Sequence, residues 1–192
     1  MKKLNIWMSV IAMLICFNSF AATEYHGRAL YGLVGNVKSV KWKTKAKRLY
    51  PESNPSFFEN GLLCNSTLFY DSDGYPIGSS MVANNKFSTT VDVKYGEDHR
   101  VGQITETSQS YGSNFTTTDD FEYSPDGMLV KETVTETDVK SGKAKKVEMR
   151  YSDYQFDSTG NWISRSVTSI TTKENGSTKT SEFVETRTIT YF

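Results

Sequence analysis

A short unit recurs along this chain: an aromatic residue, usually an aspartate after it, and a glycine shortly beyond. It reads Tyr70-Asp71-Ser72-Asp73-Gly74, then Tyr123-Ser124-Pro125-Asp126-Gly127, then Phe156-Asp157-Ser158-Thr159-Gly160-Asn161-Trp162. Each copy lies between stretches that alternate polar and apolar residues, the pattern of a strand, a tight turn and a returning strand. The unit therefore predicts a chain of β-hairpins. It identifies an architecture and no chemistry.

The flanking sequence agrees. Thr, Ser, Tyr, Phe and Val dominate and suit a pleated, half-buried surface. From Phe87 to Tyr95 the alternation is clearest, with Phe87, Thr89, Val91, Val93 and Tyr95 on one face. Further strands are expected over Val37–Arg48, Leu62–Tyr70, Gly102–Tyr111, Thr116–Tyr123, Leu129–Val139, Ala144–Tyr151, Trp162–Lys173 and Ser177–Phe192. Gly112-Ser113-Asn114, the turn around Ser141-Gly142, and Asn175-Gly176 punctuate them. Asn175-Gly176 is a strong two-residue hairpin signal, since both positions tolerate positive φ. Neighbouring strands are neighbours in sequence, so the expected fold is all-β: an antiparallel meander of hairpins forming a curved or spiralled sheet. A closed lipocalin-like barrel is the alternative. The copies are unevenly spaced, and Tyr50-Pro51-Glu52-Ser53-Asn54-Pro55 reads as a loop.

The first residues read as an address. Lys2 and Lys3 precede a short apolar run, Ile6 to Phe17, and small residues follow at Ser19-Phe20-Ala21-Ala22. This is the layout of a secretory signal peptide over 1–22, followed by one β domain over 23–192. The apolar run is shorter than the roughly 20 residues of a membrane span. Ile15 before Cys16 is a poor lipobox, so lipid anchoring is the lesser reading. The expected location is periplasmic or extracellular. Twenty-two basic residues balance 22 acidic ones, so no net field draws the chain to nucleic acid or a membrane. Cys64 alone would follow the leader, so burial rather than a disulfide must hold the fold.

The aromatic–Asp–x–x–Gly units resemble the YD repeats of RHS-type proteins, in particular short secreted proteins of host-associated Gram-negative bacteria. Tyr154-Gln155-Phe156-Asp157-Ser158-Thr159-Gly160-Asn161-Trp162-Ile163-Ser164-Arg165 resembles that group's central unit. Gly35-Asn36-Val37-Lys38-Ser39-Val40 resembles its opening strand, and Arg187-Thr188-Ile189-Thr190-Tyr191-Phe192 its closing one. The resemblance implies a β-hairpin scaffold outside the cytoplasm and carries no catalytic residues. Ser124-Pro125 departs from the aspartate pattern, and Tyr95-Gly96-Glu97-Asp98 is at best a decayed copy.

Candidate chemistry is sparse. Asp71-Ser72-Asp73-Gly74 opens like a calcium loop, but Tyr75 and Val82 stand where further ligands belong; an Asp-Gly turn is the better reading. His26 and His99 have no partner at metal-ligand spacing. Cys64 sits among apolar residues, where a thiol is a small hydrophobe. No catalytic motif, cofactor or metal is assigned. Lys41, Lys43, Lys45 and Lys47 share one face of the first expected strand, with Trp42 opposite, and form a stripe suited to an acidic glycan, lipid headgroup or protein. A wet sheet face is the competing explanation. Trp162 and the repeat tyrosines suit sugar stacking, and packing between hairpins even better. A membrane barrel is disfavoured, because Tyr191, Arg187 and Glu185 share one face of the last strand and Thr190, Thr188 and Thr186 the other. The expected function is a non-catalytic exported module that binds a glycan or protein, with a small-ligand carrier as the alternative and nucleic acid and stable membrane insertion not expected.

Overall fold

The computed structural model of the protein describes residues 26–44, 55–64, 68–83, 87–110 and 113–192. The expected leader, Cys16, Lys45 and Lys47 lie outside the described residues. Within them, a 3-10 helix (Gly27–Tyr31) precedes ten strands: β1 (Val37–Lys43), β2 (Leu68–Tyr70), β3 (Pro76–Ala83), β4 (Phe87–Tyr95), β5 (Val101–Ser110), β6 (Ser113–Tyr123), β7 (Leu129–Asp138), β8 (Ala144–Phe156), β9 (Trp162–Thr172) and β10 (Thr178–Tyr191). They form a single antiparallel sheet in the order β1-β10-β9-β8-β7-β6-β5-β4-β3-β2.

From β2 to β10 the sheet is the expected meander of hairpins. β1 departs from it, crossing to the far edge to pair with β10 (Val40↔Ile189, Trp42↔Arg187). β1 and β2 thus end the order on opposite edges and do not pair, so the sheet is not closed into a barrel. Backbone of the 55–64 segment lies against β1 instead: Phe57 N–H donates to the Lys38 carbonyl and Val40 N–H to that of Pro55. Phe57 in turn bridges to Leu63, whose N–H donates to Tyr70 Oη of β2 at 3.3 Å.

Two strand expectations need correction. Among the described residues of Leu62–Tyr70, Leu68–Tyr70 form β2, while half-buried Cys64 follows an isolated bridge rather than sitting mid-strand. β3 was not expected at all, because Pro76 and Gly78 disguise it. Pro76 occupies the first strand position, where a missing N–H is tolerated. Gly78 is needed for space, since a Cβ there would stand 2.2 Å from the Val91 carbonyl oxygen of the neighbouring strand.

All the aromatic units lie at one end of the sheet and share one turn. In the first, Asp71 N–H donates to the Tyr75 carbonyl and Gly74 N–H to the Asp71 carbonyl, with Gly74 at φ +85. The pattern repeats at Ser124–Met128 and Asp157–Asn161, each with its glycine at positive φ. This is a three-residue loop, a type I turn closed by a left-handed residue. Gly96–Arg100 makes the same two hydrogen bonds, with His99 in the glycine's place at φ +58. The sequence that looks decayed is therefore a full structural copy. Asn175-Gly176 closes a hairpin as expected, though by this same three-residue loop: Gly176 alone of the two has positive φ.

In every copy the aromatic pairs with the residue six positions on, just beyond a register shift: Tyr70↔Pro76, Tyr95↔Val101, Tyr123↔Leu129 and Phe156↔Trp162. A tyrosine of each later hairpin then reaches back to its predecessor. Tyr95 Oη donates to the Pro76 carbonyl, Tyr123 Oη to that of Val101 and Tyr154 Oη to that of Leu129. The last step in the series falls to Arg187, whose Nε donates to the Trp162 carbonyl. The repeat is thus a ladder in which each hairpin is tied to the one before.

Apolar burial concentrates at this end. Leu30, Tyr31, Leu33, Val37, Val40, Phe57, Leu63, Val91, Val93, Val101 and Ile104 form the main core beneath the 3-10 helix. A smaller cluster gathers Met149, Tyr151 and Val167. Elsewhere the sheet relies on cross-strand pairs. Thr90, Thr107, Thr116 and Thr137 stand in register across β4 to β7, where each Thr–Thr pair contributes roughly 0.2–1 kcal/mol.

Candidate functional site

The 3-10 helix packs across the aromatic-turn end and leaves a cleft of about 250 Å³ between itself and the β6–β9 turns. Aromatic side chains form much of its wall: Tyr31 and Trp42 on one side, Phe121, Tyr123, Tyr154 and Trp162 on the other. Trp42 and Tyr154 both meet Trp162 edge-on, at interplanar angles of 81°. Tyr154 and Phe156 lie nearly parallel with centroids 5.9 Å apart. Offset and edge-on arrangements of this kind are the favoured ones for aromatic pairs. At the mouth, Val34 and Phe156 remain 57% and 46% exposed.

Buried charge holds this wall in place. Arg165, 2% exposed, donates from Nε to Glu185 Oε2 at 2.7 Å and from Nη1 to Tyr154 Oη at 3.2 Å. Its Nη2 stands 2.5 Å from Glu185 Oε2, on a side chain with no exposure at all. The two residues are opposed directly across β9 and β10. The Arg165 guanidinium lies between two rings, 3.8 Å from the Tyr151 centroid and 4.1 Å from that of Trp162. Arg187 lies 3.9 Å from the Trp162 centroid and sends Nη1 to the Tyr31 carbonyl at 3.3 Å. Its Nη2 is buried without a hydrogen-bond partner. Burial first, and then the neighbouring Arg165 charge, pull Arg187 down to about 9. Trp162 is therefore clamped between two guanidinium groups.

The opposite wall is tied down by Asn161, which is 1% exposed. Its Oδ1 accepts from Val34 N–H and its Nδ2 donates to the Val34 carbonyl, both at 2.8 Å, so the amide pairs with Val34 as a strand backbone would. Nδ2 also donates to Tyr191 Oη. Tyr191 Oη donates to Asp157 Oδ2, while Asp157 Oδ1 accepts from the N–H groups of Thr159 and Asn161. Partial burial works to raise the Asp157 carboxyl, and these hydrogen bonds, led by Tyr191, outweigh it and hold the group below the ordinary range.

Of the residues singled out in the sequence, Trp162 is in this cleft. Lys41 and Lys43 are exposed on the other face of β1 from Trp42, so the lysine stripe, as far as it is described, does not join the cleft. Asp71 is committed to its own turn, with Oδ1 accepting from the N–H groups of Asp73 and Tyr75. The histidines have an unforeseen common partner: the His26 and His99 rings both stack on Tyr75, at 4.3 and 4.8 Å. Arg165, Glu185, Arg187 and Asn161 were missed as site residues. The sequence held one signal for Asn161, its place between the turn glycine and Trp162. Charged residues at alternate strand positions read as a wet face, and here that face is the buried one. Among the described residues no group of His, Cys, Asp or Glu is arranged to hold a metal ion, and no helix is long and apolar enough to cross a membrane.

Comparison with protein-family models, with curated proteins and with solved structures finds no match to the chain.

Proposed function

We propose that this protein is an exported, non-catalytic binding module whose repeated hairpins support the aromatic cleft as its recognition site, with a protein as its partner. The observation that carries this reading is the cleft itself: an aromatic wall fixed by a buried ion pair and an amide clamp, with apolar Val34 and Phe156 exposed at its mouth. Exposed apolar residues around a preorganised pocket are characteristic of protein-binding surfaces. Among the described residues no His, Cys, Ser, Asp or Glu lines the cleft, and the hydroxyls of Tyr123 and Tyr154 in its wall are engaged by backbone carbonyls, which supports a binding role over hydrolysis. The leader-like first residues support export, and the shared geometry of the four turns supports kinship with YD-repeat scaffolds.

Glycan binding through Lys41 and Lys43 is the competing reading, and one experiment separates the two. The protein is screened on a glycan array and against immobilised surface proteins, alongside V34R/F156R and K41E/K43E variants. The cleft reading expects a protein ligand lost with V34R/F156R and retained with K41E/K43E. A glycan signal lost only with K41E/K43E overturns it.

A further inference from the structure

The chemistry of the cleft restricts what enters it, and the following rests on the cleft being the binding site. We infer that the cleft takes a single uncharged aromatic side chain from a protein partner. Three of the polar side chains along its wall are already committed. Tyr123 Oη donates to the Val101 carbonyl, Tyr154 Oη to that of Leu129, and Arg165 donates from all three of its nitrogens, to Glu185 and Tyr154. A sugar would lose water from its hydroxyls with few donors or acceptors to replace it, a loss that is expensive for each group left unmatched. An anion would meet a guanidinium already neutralised by Glu185. A cation would be repelled by the two guanidinium groups that pack on the Trp162 ring. What the cleft offers is the aromatic surface of half-buried Trp42, Phe121, Tyr123 and Tyr154, which suits a flat, uncharged guest.

Size and rim select the source. A cavity of about 150 Å³ accepts benzene, so about 250 Å³ holds one or two fused rings. A free ring compound of that size would leave Val34 and Phe156 in water, whereas the residues flanking a partner's aromatic side chain would cover both.

The test follows the backbone amide signals of Gly32, Gly127 and Gly160, which line the cleft, by nuclear magnetic resonance. N-acetyltryptophanamide should shift all three saturably. Methyl glucoside, N-acetylaspartate amide and N-acetyllysinamide should leave them unmoved. The end-blocked tripeptide Val-Trp-Val should bind tighter than the single residue. Phe156→Ala, a change at an exposed position, should weaken the aromatic probe about two- to tenfold. Equal shifts from a polar probe would overturn the ligand class and leave the cleft as the site. A tripeptide no tighter than the single residue would point to a free small molecule, and signals that move on diluting the protein alone would point to a second copy; either overturns the partner assignment. No shift from any probe would overturn the cleft itself.

Discussion

Tyr154 donates its hydroxyl to the backbone carbonyl of Leu129 at 2.6 Å, tying the β8–β9 hairpin to the first residue of β7. Tyr123 makes the equivalent bond to Val101. Each bond satisfies a carbonyl at a register shift, where the strand ladder is interrupted. Tyr123→Phe and Tyr154→Phe should therefore each lose about 1–2 kcal/mol in urea unfolding, with the fold retained in circular dichroism. A loss within error for both would show that the ladder is packing alone.

The Arg165–Glu185 pair makes a contrasting prediction. Removing one partner leaves an uncompensated buried charge, so Glu185→Leu should cost about 3–5 kcal/mol. Replacing both, as Arg165→Met with Glu185→Leu, should recover most of that stability while loosening Trp162, whose ring rests against Arg165. Thermal unfolding of the single and double variants measures the first effect. The fluorescence of Trp162, in a protein with its other tryptophans replaced by phenylalanine, measures the second.

Asp157 sets an acid limit. Its carboxyl is held below the ordinary range, so between that lowered value and about 4 the unfolded chain binds more protons than the folded one. Its contribution is complete above about pH 4 and is lost as pH falls through the folded value. Melting temperature should drop across that window, and Asp157→Asn should flatten the drop while lowering stability at neutral pH. An unchanged acid slope in the variant would remove Asp157 from this role.

Two glycines should respond differently to alanine. Gly160, at φ +91, has nothing within 4 Å of a new Cβ, so Gly160→Ala bears only the backbone cost, about 1–2 kcal/mol. At Gly78 the added carbon meets the Val91 carbonyl, and β3 must move away from β4. Hydrogen exchange should show faster opening confined to β2 and β3 in Gly78→Ala, and no such local opening in Gly160→Ala.

The hairpin turns were legible because a left-handed residue leaves a chemical mark, the glycine, and Asp or Ser marks the turn before it. The Gly96–Arg100 turn escaped because His99 takes the left-handed position and Gly96 replaces the aspartate. β3 escaped because glycine and proline are ordinarily signs against a strand. Nothing in spacing announces that β1 crosses to β10, since a pairing between distant segments has no local signature. The cleft was half legible. Trp162 stood out, but a strand face carrying Glu185, Arg187 and Tyr191 suggests solvent until β1 and the 3-10 helix are laid over it.

Because β1 pairs with β10, the first strand must wait for the last. Every hairpin from β2 onward can zip against its predecessor as the chain lengthens, a sequence of local steps that costs little loop entropy. Besides its hydrogen bonds to the 55–64 segment, β1 gains its neighbour in the sheet only when the final strand has formed, and Trp42 then meets Trp162 across the Arg187 side chain. Assembly of the cleft is thereby tied to the last strand. A chain cut short before β10 would keep the tyrosine rungs of its ladder yet lose the Arg187 rung and the pairing that brings Trp42 to Trp162.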